Sequence, residues 1–290
     1  MRKLGAWLKG RWFGLTLLVL ALLKLYLVAN LRADIIPHSD YDDWGFVAKA
    51  FFILKGQWLG AYNYITLYKG PIYPIFLALS SKSGLSFLIS QHLLYLGMST
   101  IVSFGLRRLK IHPAIVIFTF LLLIFNPITW SLPNLRSVRD LFFTCLVIGW
   151  FGLIFLSLSK VFDRKKNAVA WSFGLGLYIV ILWYTREEGI LILPSLAFSL
   201  AILFFRLFQT MGIKKATKYG AFLTLGITLG FLSGKTILSQ LNVHFYGTHH
   251  IIDSTTGPYM RAYRSMTALI PPKSPLRDPI PASVRAQLRR

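Results

Sequence analysis

Long apolar runs alternate with short charged ones along almost the whole chain. Seven segments, at about 12–31, 85–106, 113–132, 141–159, 168–184, 190–208 and 219–238, are almost entirely apolar. A helix of about twenty such residues, rising about 1.5 Å per residue, crosses the hydrocarbon of a bilayer. Each run therefore predicts a membrane-crossing helix, and the expected fold class is an all-α polytopic membrane bundle of about seven transmembrane helices. The first run follows Arg2, Lys3, Lys9 and Arg11, as the core of a secretory leader would. It is too long for a leader, only Lys24 interrupts it, and no small-residue cleavage site follows, so it reads as a retained first helix.

The pattern changes between the first two runs. Over 43–56 the apolar residues Trp44, Val47, Phe51 and Leu54 recur at helical spacing while Lys49 and Lys55 fall elsewhere, which predicts a helix lying along the interface. Gly56 is the expected stop. Tyr68-Lys69-Gly70-Pro71-Ile72-Tyr73-Pro74 then predicts a rigid turn, leading through 75–79 into the bilayer or the next helix. Two units are expected: a membrane module over 1–240 with its external loop at 32–84, and a tail over 241–290. The tail carries five prolines between Pro271 and Pro281 and reads as an external coil or the start of an external domain.

Composition agrees: the 290 residues are 55% hydrophobic and 14% charged. The net charge of +22 would suit a nucleic-acid binder, but repeated membrane-length apolar runs exclude that class. The charge is instead distributed by side. The segments 1–11, 107–112, 160–167 and 206–218 hold fifteen Lys or Arg and one acid, Asp163. The segments 32–84, 133–140 and 185–189 hold eight bases and seven acids. By the positive-inside rule the first set is cytoplasmic, so the N-terminus is expected inside and the tail outside. The one cysteine, Cys145, sits within an apolar run, so no intrachain disulfide can form.

Candidate chemistry gathers in the external segments. Asp40, Asp42 and Asp43 stand just beyond the first run, in a chain with ten acids in all. A carboxylate at the water–lipid boundary can take a proton from a substrate hydroxyl. Three nearby acids can also hold a divalent cation but do not require one. Lys69, beside Tyr68, offers a cation in the same loop. The turn Thr185-Arg186-Glu187-Glu188-Gly189 presents an arginine between acids that can orient it, and Arg136-Ser137-Val138-Arg139-Asp140 repeats that chemistry. Arginine forks suit bidentate capture of phosphate. His249, His250 and Asp253 complete no zinc spacing. The residues leave three readings open: a membrane transferase acting on an anionic lipid and a hydroxyl-bearing acceptor, a non-catalytic binder or transporter of such a lipid, and a subunit without a site.

The order of two motifs resembles the GT-C class of membrane glycosyltransferases. A first span is followed by an external Asp with an aromatic residue four on and Ala eight on, here Asp40, Trp44 and Ala48. Lys69-Gly70-Pro71-Ile72-Tyr73-Pro74-Ile75-Phe76-Leu77 is similar to the basic-Pro-x-Tyr-Pro-x-Phe-Leu segment of that class. The resemblance covers roughly 12–240. It implies a polyprenyl-phosphate sugar as donor and an acceptor that is a lipid, glycan or protein outside the cytoplasm, as in protein O-mannosyltransferases and lipid A aminoarabinose transferases. It also implies Asp40 as base, Lys69 on the donor phosphate, and a place in a cell-envelope membrane such as the bacterial inner membrane. Tyr41 stands where that class has a second acid, so Asp42 and Asp43 remain rivals to Asp40. Such enzymes carry further helices and an external domain, so the chain is expected to be a shortened form.

Overall fold

The structure is a computed structural model that describes residues 2–33, 43–160, 165–254 and 257–267. Among these every regular element is a helix. The order is α1 (Arg2–Ala29), α2 (Asp43–Leu54), α3 (Ile72–Lys82), α4 (Phe87–Arg108), α5 (Pro113–Ile124), a 3-10 turn at Pro127–Trp130, α6 (Leu132–Leu135), α7 (Arg139–Lys160), α8 (Lys165–Trp183), a 3-10 turn at Glu187–Leu191, α9 (Ile192–Tyr246) and α10 (Pro258–Thr267). Five described segments are long and apolar enough to cross a membrane: Trp12–Ala29, Phe87–Arg108, Pro113–Trp130, Arg139–Ser159 and Glu187–Tyr246. Ala168–Trp183 is a shorter apolar helix. Apolar residues on α1 that a water-soluble protein would cover, among them Trp12, Leu15, Leu18, Val19 and Leu22, are exposed. Together these make the protein an integral-membrane helical bundle.

All seven apolar runs are helical, with two departures from expectation. The third ends early, because Pro127 has no N–H to continue the ladder and the Asn126 side chain accepts from Ile128 N at 3.0 Å, starting a fresh turn. The sixth and seventh are joined without a loop: helix stands on both sides of Gly212, whose φ 74° and ψ 166° lie in a region essentially reserved for glycine. Leu203 and Leu207 share a buried cluster with Ala216 and Leu223, and a Cβ on Gly220 would lie 3.6 Å from the Phe204 ring. In a straight helix residues 204 and 220 would stand about 24 Å apart. The chain therefore doubles back at Gly212, and α9 is a hairpin of two arms, 192–211 and 213–246. The second arm runs past the expected module boundary at 240, since no breaker intervenes before Gly247 caps it at φ 67°.

Two close helix pairs make the frame. In α4 and α7, Gly105 and Gly152 meet so closely that a Cβ on Gly152 would lie 2.7 Å from Val102 N. In the second arm of α9, Gly226, Gly230 and Gly234 form one small-residue stripe against Ser172, Phe173, Gly176 and Val180 of α8. Helices in lipid gain from such close approach through dispersion. Around this frame Phe46, Tyr73, Phe142, Leu146, Trp150, Leu182 and Ile192 form the main buried cluster, which seats α2 and α3 on the bundle. Residues 75–79 thus belong to α3.

Lys24 of α1 turns inward. It is fully buried, donates to Thr129 Oγ1 at 2.9 Å and lies 3.3 Å from the Trp130 ring centroid. This ties the turn after α5 to α1.

Candidate functional site

Charged residues from the start of α2, the turn before α7 and the turn after α8 converge on one end of the bundle. Asp43 opens α2 and is fully buried. Arg136, held between α6 and α7, grips it with both prongs: Nε to Oδ2 at 3.0 Å and a terminal nitrogen to Oδ1 at 2.8 Å. Arg139, at the start of α7, donates to Thr185 O at 3.0 Å and to Glu187 Oε2 at 2.8 Å. Arg186 takes Glu188 in a second fork, at 3.0 and 2.9 Å, and also pairs with Asp140. The arginine forks at Asp43 and Glu188 are thus committed to carboxylates of the chain itself. Asp40 and Asp42 lie outside the described residues.

The loop between α2 and α3 supplies a pocket beside these pairs. Its backbone is fixed by distant anchors. Trp58 Nε1 donates to Asn242 Oδ1 at 2.7 Å, and Asn242 Nδ2 donates to His250 O at 2.6 Å. The Tyr246 hydroxyl accepts from Leu59 N at 3.1 Å and donates to Gly60 O at 2.9 Å. Asp253 N donates to Leu67 O at 2.8 Å. Gly70 lies so close to Tyr184 O that a Cβ there would overlap it, which explains the Gly-Pro pair after Lys69. Trp58, Leu59, Leu67, Tyr184, Leu238, Ile251 and Ile252 make the buried cluster beneath.

The pocket has a volume of about 320 Å³ and is lined by Lys49, Tyr68 and Lys69 together with Trp44, Phe46 and Tyr64. Lys49 donates to Ile65 O at 2.9 Å, and Lys69 Nζ stands 5.3 Å from the Phe46 ring centroid. Burial, with Lys69 and Arg139 nearby, lowers the Lys49 pKa to about 8. A buried cationic site of this kind gains from any anion that enters. The structure therefore brings Tyr68 and Lys69 together in one pocket. Arg136, Arg139, Arg186, Glu187 and Glu188 form the adjacent ion-paired floor and do not line it. Among the described residues no three His, Cys, Asp or Glu side chains gather as a metal site.

Behind Asp43 stand two buried hydroxyls. Tyr73 OH and Ser137 Oγ have no hydrogen-bond partner, although Ser137 is near enough to act on the phenol. Burial pushes the Tyr73 pKa far up; Ser137 opposes the rise, and Asp43 and Asp140 add to it.

Lys49, Tyr73 and Ser137 are the site residues that sequence reasoning passed over. Lys49 carried a signal, since it lies off the apolar stripe of an interfacial helix, and Tyr73 is part of the Lys69–Pro74 motif. Ser137 carried none beyond lying between two arginines.

No family model matches the chain, and neither a curated protein nor a solved structure matches it.

Proposed function

We propose that the protein is an integral-membrane glycosyltransferase that moves a sugar from a polyprenyl phosphate to a hydroxyl on the non-cytoplasmic side. The observation that carries this reading is the pairing of Lys49 and Lys69 in one pocket beside the acidic head of α2. Two converging lysines can hold the single charge of the donor's phosphodiester and the second charge that appears on the phosphate as it leaves, and the exposed apolar residues Trp44, Phe51 and Leu54 on α2 suit a donor that arrives from lipid. In this reading the chain crosses the membrane seven times with its N-terminus cytoplasmic, counting the two arms of α9 separately.

The transfer is a direct displacement. Asp40 takes the proton of the acceptor hydroxyl, whose oxygen forms a bond to the anomeric carbon. The bond from that carbon to the phosphate oxygen breaks, and its electron pair leaves on polyprenyl phosphate, whose charge Lys69 and Lys49 stabilise. The configuration inverts. Catalysis here comes from positioning and from stabilising the leaving charge.

A second reading has a specific observation in its favour. Asp43 is neutralised by Arg136, so a binder or transporter that holds lipid-linked sugar without cleaving it fits the ion-paired floor equally well. The two separate in proteoliposomes given polyprenyl-phosphate sugar with radiolabel in the sugar and an extract of envelope acceptors. The transferase releases polyprenyl phosphate and labels an acceptor, and Asp40→Asn abolishes both while leaving thermal unfolding unchanged. Donor bound but never consumed identifies the carrier; full activity in Asp40→Asn removes the base assignment.

A further inference from the structure

Helix α2 is a partition. Its face with Lys49 and Phe52 borders the basic pocket, whereas Val47, Ala50, Phe51 and Leu54 on other sides line a second hollow of about 360 Å³. The far wall of that hollow is α3 and the start of α4, through Leu77, Ser80, Ser81, Leu85 and Phe87, and Ser137 lies in it. Among the described residues its lining carries no charge. Ser80 is committed to Ser90, with the two hydroxyls 2.6 Å apart. Ser137 is different: it is 3% exposed, and its Oγ and the Tyr73 hydroxyl close behind it have only each other to turn to. Two hydroxyls that share one hydrogen bond leave a proton unused, so such a pair beside a hollow marks where a ligand oxygen can accept.

The surroundings say from where that ligand comes. Phe51, Leu54, Leu79 and Leu85, in or beside the hollow, are exposed apolar side chains of a membrane protein, so the hollow opens toward lipid. A bilayer chain can enter it without crossing water.

We infer that the hollow between α2 and α3 holds one aliphatic chain of a diacyl lipid, with a neutral headgroup oxygen accepting a hydrogen bond from Ser137, and that this lipid is the acceptor. The second part rests on the transferase reading; the first does not. The lack of a cation among the described lining residues separates this occupant from the donor, whose phosphate goes to the lysines on the other side of α2. The charge of Arg136, next to Ser137, is already spent on Asp43. Donor and acceptor then meet at the head of α2. The acceptor hydroxyl gives up its proton there, its oxygen bonds to the anomeric carbon, and polyprenyl phosphate departs with the electron pair of the broken bond.

The test uses the full chain in nanodiscs with two photoreactive probes: a diacylglycerol-based lipid with a diazirine in one acyl chain, and polyprenyl phosphate with a diazirine in its chain. The acyl probe is expected to label peptides containing Phe51 and Leu77. Ser81→Trp, which fills the hollow from an exposed position, should lower that labelling about tenfold, and Ser137→Ala about threefold, with thermal unfolding unchanged in both. Leu54→Glu is a second block, should Ser81→Trp prove unstable. No labelling of these peptides, labelling unaffected by the blocks, or labelling by the polyprenyl probe instead overturns the assignment. Acyl labelling together with sugar transfer to a purified hydroxyl-bearing diacyl lipid supports both parts. Acyl labelling with transfer only to protein or soluble glycan overturns the acceptor assignment. Acyl labelling with no donor cleavage at all sinks the transferase reading and leaves the lipid site standing.

Discussion

Lys49 is the residue whose protonation should be felt most directly. Its pKa of about 8 lies below the ordinary 10.5, because burial and the neighbouring Lys69 and Arg139 disfavour the charge. Below about pH 8 the pocket holds the cation, and as pH rises through 8 the charge is lost. Affinity for polyprenyl phosphate should therefore fall across that window, read from the fluorescence of Trp44 in the pocket wall. Lys49→Met should bind more weakly and lose the step. Between pH 8 and 10.5 the unfolded chain binds the proton more tightly than the folded one, so this residue makes the empty protein more stable as pH climbs. The buried pair behaves differently. Arg136→Met leaves Asp43 charged and buried, and should cost about 3 kcal/mol in chemical unfolding, with Asp43→Asn added to it recovering part of the loss. An Arg136→Met protein as stable as the parent would show that this pair does not hold α2 to the turn before α7. These arginines could be picked out in the sequence, because charges in short turns between apolar runs stand out. Their partners could not, since Asp43 and Arg136 are 93 positions apart and only packing brings them together. Lys49 was obscured for a related reason: a lysine on an amphipathic helix ordinarily marks the solvated face.

At the scale of elements, apolar run length carried nearly all the information. Every run became helix because lipid gives a backbone polar group no partner outside its own segment. Run length does not tell where a helix stops or turns back. Gln209 to Lys218 read as a charged connection, yet helix continues on both sides of Gly212, and one glycine makes the reversal. The glycine stripe of α9 is periodic in the sequence, but its partner surface on α8 is set only in the fold. The stripe makes a sharp comparison possible. A Cβ on Gly230 would overlap Phe173 O, whereas one on Gly174 meets nothing within 4 Å. Gly230→Val should destabilise by about 1–3 kcal/mol through overpacking, and Gly174→Ala should leave thermal unfolding within about 0.5 kcal/mol or raise it. Equal effects would mean that α8 and α9 do not meet along this stripe.

For the whole molecule, the sidedness expected from the charge distribution can be tested with single reporter cysteines. Cys145 is buried and can be replaced by Ala as background. Cysteines at Lys110 and Lys214 should react only from the cytoplasmic side, and cysteines at Tyr64 and Leu132 only from the opposite side. Tyr64 and Lys214 labelled from one side would break the proposed arrangement. The anchors of the α2–α3 loop also bear on synthesis. Trp58 and Leu59 are fastened to Asn242 and Tyr246, partners separated from them by 184 and 187 positions. A ribosome that has just finished the loop has almost the entire bundle still to make, so the pocket cannot take its final shape until the last long helix is threaded into the bilayer. Nascent chains at every earlier length carry the lysines without the cradle that aims them, and a newly made molecule acquires its basic pocket late and all at once.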